Sequence, residues 1–186
     1  MVDYTKRLSE QIVTVMDTYN NYGEIERIVI SYGMELLLNS VLKTVIYLLV
    51  GLAIGKVMEV ALAMAIFGSV RKLSGGRHAA TDVGCFLMTG GIIFLSVISP
   101  CIVNISGQGY VLIIFVVNWI FIYWAPYDEY FEKAKNYDER VRIKLQSIFM
   151  INIIFLIGIF VNNYWQTIIY MTLVGQGITL IGGKGK

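Results

Sequence analysis

Charged residues are scarce in this sequence. Aspartate, glutamate, lysine and arginine make up 15% of its 186 residues, whereas soluble domains carry about 25%. Hydrophobic residues make up 56% and the mean hydropathy is +0.67. Proline occurs only twice, so long helices meet few interruptions. This composition favours a helical membrane protein over a soluble domain, a disordered chain or a collagen-like chain.

Cysteine, histidine and net charge are also in short supply. The two cysteines cannot build a disulfide framework, and Cys101, beside Pro100, is interpreted as an ordinary small apolar residue. The net charge of +2 is too small to indicate nucleic acid binding, and no basic run alternates with aromatic residues as such binding requires. The first thirty residues contain eight charges and no apolar run typical of a signal peptide.

Apolar segments follow one another along most of the chain. Residues 3–19 carry an apolar stripe at helical spacing, which predicts an amphipathic helix at the membrane surface, against the bundle or on a partner's helix. Candidate membrane segments follow at residues 34–55, 57–70, 82–99, 108–124, 147–162 and 164–181. The glycine-rich end from Gly175 is interpreted as frayed.

The sequence therefore predicts an all-α, polytopic membrane helix bundle of about six membrane segments after an N-terminal amphipathic helix. We expect one integral membrane domain over residues 1–186. Within it, residues 1–27 form a helix at the cytoplasmic face, residues 28–182 form the bundle and residues 183–186 form a tail.

Lysine and arginine lie on alternate connections, which predicts the orientation. They precede the first segment, fill the connections at 71–78 and 125–144 and follow the last segment, whereas the other connections carry only Lys56. Basic connections stay on the cytoplasmic side. We therefore expect a multi-pass protein of the cell membrane with both termini in the cytoplasm and the 100–107 connection outside.

The single histidine, His78, lies seven residues before Cys85, where a polar connection gives way to an apolar segment. A thiol and an imidazole are the minimum set for a cysteine nucleophile. On one continuous helix the two side chains share a face, with backbones about 10.5 Å apart; a bend, or a helix that starts after His78, closes that gap. The alternative is a buried cysteine and an unrelated headgroup histidine. Taken as a pair, the two residues favour catalysis.

Two further features of the polar connections have alternative explanations. Asp82 either orients the His78 imidazole or caps the start of the third segment, and capping is favoured. Arg140, Arg142 and Lys144 close the longest polar loop. They either dock a peptide or only anchor the fifth segment on the cytoplasmic side.

The sequence resembles the accessory gene regulator B family, AgrB. The resemblance lies in Arg71, in the run Gly75-Gly76-Arg77-His78-Ala79, in Cys85, and in Ala125-Pro126 followed by a charged stretch that ends at Leu145. It implies a membrane-embedded cysteine endopeptidase, active as a homodimer, with Cys85 as nucleophile and His78 as base. The substrate implied is an AgrD-like quorum-sensing propeptide, whose acidic tail is removed and whose own thiol then closes a thiolactone. That exchange needs no ATP, and we expect no cofactor and no metal ion.

In this scheme Gly75 and Gly76 either let backbone amides approach the oxyanion or simply form a flexible turn. Arg71 pairs with a substrate carboxylate or with lipid phosphate. The rival hypothesis is a non-enzymatic membrane transporter or scaffold in which His78 and Cys85 are incidental. A transporter needs polar or broken helices at mid-membrane, and Lys43 and Glu59 are the candidates for that role.

Overall fold

The computed structural model describes residues 2–20, 22–77, 81–127 and 137–182, and within these residues it contains seven helices and no strand. The helices are α1 (Val2–Asn20), α2 (Glu24–Ala53), α3 (Val57–Ser74), α4 (Asp82–Ile102), α5 (Gly107–Trp124), α6 (Tyr137–Ile159) and α7 (Asn163–Leu180). The all-α prediction is confirmed, and each predicted segment corresponds to one helix.

Four helices are long and apolar enough to cross a membrane, which makes the chain a multi-pass membrane protein. They span Glu24–Ala53, Asp82–Ile102, Gly107–Trp124 and Asp138–Ile159. The other two candidates are more polar: α3 carries three charged residues, and α7 contains glutamines and threonines. The count of six membrane segments therefore stays a prediction.

The described residues fall into two compact units, one up to Val50 and one from Gly51 onward. In the first unit α1 and α2 are joined by a short turn that Asp17 organises. The Asp17 carboxylate accepts a hydrogen bond from the Tyr22 amide at 2.9 Å and pairs with Arg27 at 3.2 Å. On α1, the side chain of Val13 is buried.

The amphipathic character of α1 and the single-domain organisation stay predictions, and residues 183–186 lie outside the described residues.

In the second unit, the starts of α3, α5 and α7 lie together. Tyr164 accepts a hydrogen bond from Lys56 Nζ at 2.6 Å and donates one to Glu59 at 2.9 Å. Lys56 and Glu59 also pair directly at 3.8 Å. The hydroxyls of Tyr110 and Thr167 are 2.8 Å apart. We call this the Tyr164 end.

The ends of α3, α5 and α7 also lie together, at what we call the Gly75 end. The Arg77 amide donates to the Thr179 carbonyl at 2.9 Å, and the Tyr127 amide donates to the Ser74 carbonyl at 3.0 Å. The three helices are therefore parallel, and α4 and α6, which lie between them in the sequence, run in the opposite direction.

The central helix of the second unit is α7, which packs against all four others. Its Tyr170 ring lies edge-on to Phe155 and Tyr110, with centroids 4.8 and 5.4 Å away. Because neighbours cover it, α7 tolerates the polar residues that a lipid-facing helix excludes. The predicted frayed end from Gly175 is wrong: Gly175 is buried, and a Cβ there would overlap Ile92 of α4.

Candidate active site

Cys85 lies in the first turn of α4, at the Gly75 end. Thr81 caps this helix: its hydroxyl accepts a hydrogen bond from the Gly84 amide at 3.0 Å, and its carbonyl accepts one from the Cys85 amide at 2.9 Å. Cys85 is a free thiol and is partly buried. Cys85 thus lies at a helix N-terminus, where the helix dipole interacts favourably with negative charge.

His78 lies outside the described residues. The chain on either side of it shows that residues 78–85 do not form one helix, because Thr81 is extended, with φ −130° and ψ 150°, and α4 starts at Asp82. The alternative of a helix that begins after His78 is confirmed.

Asp82 is the first residue of α4 and is exposed. The favoured explanation, that Asp82 supplies the cap, is wrong by one residue, because the capping oxygen belongs to Thr81. A carboxylate in the first turn still interacts favourably with the helix dipole. Its role in orienting the imidazole stays a prediction.

Gly75 and Gly76 turn the chain out of α3 towards His78. Both have positive φ, 70° and 148°, a backbone conformation that is strained for residues other than glycine. A Cβ on Gly76 would also come within 2.7 Å of the Thr179 hydroxyl. The Gly75 amide donates to the Arg71 carbonyl at 2.9 Å. That amide is therefore engaged within the fold, and the predicted oxyanion contact of the glycines stays a prediction.

Arg71, on the last turn of α3, braces the same turn. Its Nη2 donates to the Arg77 carbonyl at 3.0 Å, and its guanidinium lies over the Phe67 ring, 5.5 Å from the centroid. The residue that precedes His78 is thus bonded through both its carbonyl and its amide, the latter to Thr179. Pairing of Arg71 with a substrate carboxylate or a lipid phosphate stays a prediction.

The three bases near residue 142 lie on α6. Because α6 begins at Tyr137, the prediction of a loop as far as Lys144 is wrong. On a helix, Arg140 and Lys144 share a face with the buried Ser147. Arg142 lies about 160° around the helix axis from both Arg140 and Lys144. Arg142 is exposed and the other two are partly buried. The bases therefore do not form one patch. Residues 128–136 lie outside the described residues.

Sequence reasoning missed Gln176 on α7, which is fully buried at the Gly75 end. Its Nε2 donates to the Gly75 carbonyl at 2.8 Å and to the Ser74 hydroxyl at 3.0 Å. The signal that would have found it is an amide in an apolar segment, since polar groups at membrane depth carry function. It was overlooked because the surrounding glycines indicated a frayed end.

The other polar cluster, formed by Lys56, Glu59 and Tyr164, lies at the opposite end of the second unit. Its charges are matched within the cluster, so Glu59 is not the isolated mid-membrane charge that a transporter would use. Among the residues that the structure describes, no group of three or more histidine, cysteine, aspartate or glutamate side chains is arranged to hold a metal ion.

Comparison with known proteins confirms the family resemblance that the sequence predicts. The family described as accessory gene regulator B matches residues 9–180. A protein of Clostridium perfringens (strain 13 / Type A), named "Putative AgrB-like protein 2", is 23% identical over 175 residues, which cover 87% of this chain and 81% of that protein. No solved structure matches the chain significantly.

Proposed function

The chain belongs to the accessory gene regulator B family, and we propose from this that it is a membrane cysteine endopeptidase that also cyclises its product. Membership implies a part in the processing of a quorum-sensing propeptide. The observation that carries the finer proposal is Cys85, a partly buried thiol in the first turn of the capped helix α4. The connection that leads into this helix bears the only histidine.

The first step of the proposed reaction is acyl transfer to the enzyme. His78 accepts the proton of Cys85, and the thiolate attacks the carbonyl carbon of the scissile peptide bond. The oxyanion that forms collapses, the carbon–nitrogen bond breaks, and the imidazolium gives its proton to the departing amine. The acidic tail leaves, and the signal segment stays on Cys85 as a thioester.

The second step closes the ring. The thiol inside the signal peptide gives its proton to His78 and attacks the thioester carbonyl, and Cys85 leaves as a thiolate. The two bonds exchanged are alike, so no external energy source is required. Holding the internal thiol close to the thioester gives that thiol a large effective concentration, so it reacts faster than water does. A site at the membrane edge also limits water, which would otherwise hydrolyse the thioester.

Three nearby residues support this scheme. Gly76 brings backbone close to the reacting carbonyl, Asp82 orients the imidazole, and Arg71 braces the turn that leads to His78. Apolar side chains exposed along α2, α4, α5 and α6 fit contact with a lipid bilayer. The homodimer implied by the resemblance stays a prediction.

Orientation and activity can be tested together in sealed membrane vesicles. The Gly75 end carries Arg71, Lys72, Arg77 and the bases of α6, so we place it in the cytoplasm with both termini. Propeptide added to inside-out vesicles should lose its tail, whereas propeptide added to right-side-out vesicles should stay intact. Absence of cleavage in both preparations would overturn the function, and cleavage only in the second would invert the topology.

We further propose that Arg140 and Lys144, rather than Arg142, bind the acidic tail. They lie on the bundle-facing side of α6, where hydrogen bonds between charged groups stabilise binding by about 1.5–3 kcal/mol. Because two such contacts are lost, changing both to glutamine should raise KM for the propeptide at least about a hundredfold and leave kcat nearly unchanged. Added salt should raise the parent's KM in the same way.

Arg142→Gln is the matched control, because it removes one base from the opposite side of the same helix. Its KM should stay within about twofold of the parent's. Since all three bases also anchor α6, vesicle orientation is measured for each variant. Parent-like kinetics of the double variant, with orientation preserved, would assign Arg140 and Lys144 to anchoring alone.

A further inference from the structure

Gln176 joins the central helix to the turn that precedes His78. It is fully buried on α7, and its Nε2 reaches both the Gly75 carbonyl and the Ser74 hydroxyl. The Ser74 hydroxyl donates its own proton to the Val70 carbonyl at 3.0 Å, so it accepts from Gln176. These two acceptors fix the amide, because only its nitrogen side can donate to a carbonyl.

The oxygen of this amide makes no such bond to the turn. Gln176 Oε1 is buried and has no hydrogen-bond partner among the described residues. A buried acceptor without a donor destabilises a fold, and an apolar side chain of similar size avoids that cost. Packing alone therefore does not explain a glutamine at this position. The bond from Nε2 to the turn does.

Helix α4, which bears Cys85, and the turn before His78 both contact α7 within a few residues of Gln176. Helix α4, which bears Cys85, packs so closely on α7 that a Cβ at Gly175 would overlap Ile92. The turn before His78 is bonded to α7 through Gln176 and, by the Arg77 amide, through the Thr179 carbonyl. The central helix is thus a common frame for the nucleophile's helix and the base's connection.

We propose that Gln176 is a positioning residue for the Cys85–His78 pair. By holding the Gly75 carbonyl, it fixes where the chain enters His78 relative to the helix that carries Cys85. This inference rests on the proposed function. Removing the amide removes the side-chain hydrogen bond from α7 to the Gly75 carbonyl, and a displacement of about 1 Å can cost about 10²-fold in rate.

The test compares Gln176→Met, which conserves volume, with the parent and with Gln166→Met on the same helix near the Tyr164 end. Two experiments are done in inside-out vesicles: one gives kcat and KM for tail release, and the other gives the pH dependence of alkylation at each cysteine. We expect kcat to fall at least about tenfold with KM nearly unchanged, because positioning acts on the chemical step. The alkylation curve of Cys85 should move towards that of His78→Ala, and the curve of Cys101 should not move.

Gln176→Asn retains a buried amide, but its side chain is one methylene too short to reach the Gly75 carbonyl. If the methionine variant does not reach the membrane, the same measurements are made on the asparagine variant. Parent-like kcat and an unmoved Cys85 curve in an inserted variant would overturn the inference alone. A lower yield of folded protein with unmoved kcat and curve would also overturn it, since that is a purely structural effect. If the parent and His78→Ala share one Cys85 curve and neither cleaves propeptide, the proposed function falls and this inference falls with it.

Discussion

Cys85→Ser should abolish release of the propeptide tail, whereas Cys101→Ser should leave it intact. A serine hydroxyl keeps its proton near neutral pH, so it does not replace a thiolate as nucleophile. We expect the rate to fall by a factor on the order of 10⁴ or more, as when proteases lose their nucleophile. Tail release is measured by mass spectrometry on inside-out vesicles that contain each variant.

Cys101 is the matched control because it lies on the same helix. It is exposed on the last turn of α4, at the Tyr164 end, about 24 Å along the axis from Cys85. Both serine variants should insert normally, since each replacement removes little apolar area. Undiminished tail release by Cys85→Ser would remove the nucleophile from the proposal. Loss of release in Cys101→Ser alone would move the site to the other end of the bundle.

The helices were predictable because a long apolar segment is a local property, visible in consecutive residues of the sequence. Their starts were less so: α2 begins at Glu24 and α6 at Tyr137, each ten residues before the predicted apolar segment. In both cases the extra turns are polar, with Glu24, Glu26, Asp138 and Glu139 in the first turn of their helix. Acidic residues stabilise a helix N-terminus, but a search for membrane segments ignores them.

The candidate site was predictable only in part. His78, Cys85 and the two glycines follow from residue types and spacing within a dozen positions. The contact between Gln176 and Gly75 joins residues that are about a hundred positions apart, and no local pattern encodes it. The cap at Thr81 shows a smaller failure: threonine and aspartate both cap helices, so adjacent candidates leave the first residue undecided.

His78→Ala should lower the rate of tail release by a factor on the order of 10² to 10⁴, the range for loss of a general base. In the proposed reaction the imidazole takes the proton of the Cys85 thiol and keeps an opposite charge beside the thiolate, so its loss would leave the helix N-terminus as the main stabiliser of the anion. Alkylation of Cys85 by a thiolate-selective reagent should therefore shift to higher pH. KM for the propeptide should change little, because the base acts in the chemical step.

The two cysteines make this measurement self-controlled, since Cys101 is alkylated in the same sample and its curve should stay fixed. Asp82→Asn, assayed in the same way, separates the two roles of that carboxylate. If Asp82 orients the imidazole, the asparagine variant should reproduce part of the His78→Ala shift; if it only favours the helix start, the Cys85 curve should hardly move. A Cys85 curve that is identical in the parent and in His78→Ala would show that the histidine does not act on this thiol, and the catalytic pair would have to be abandoned.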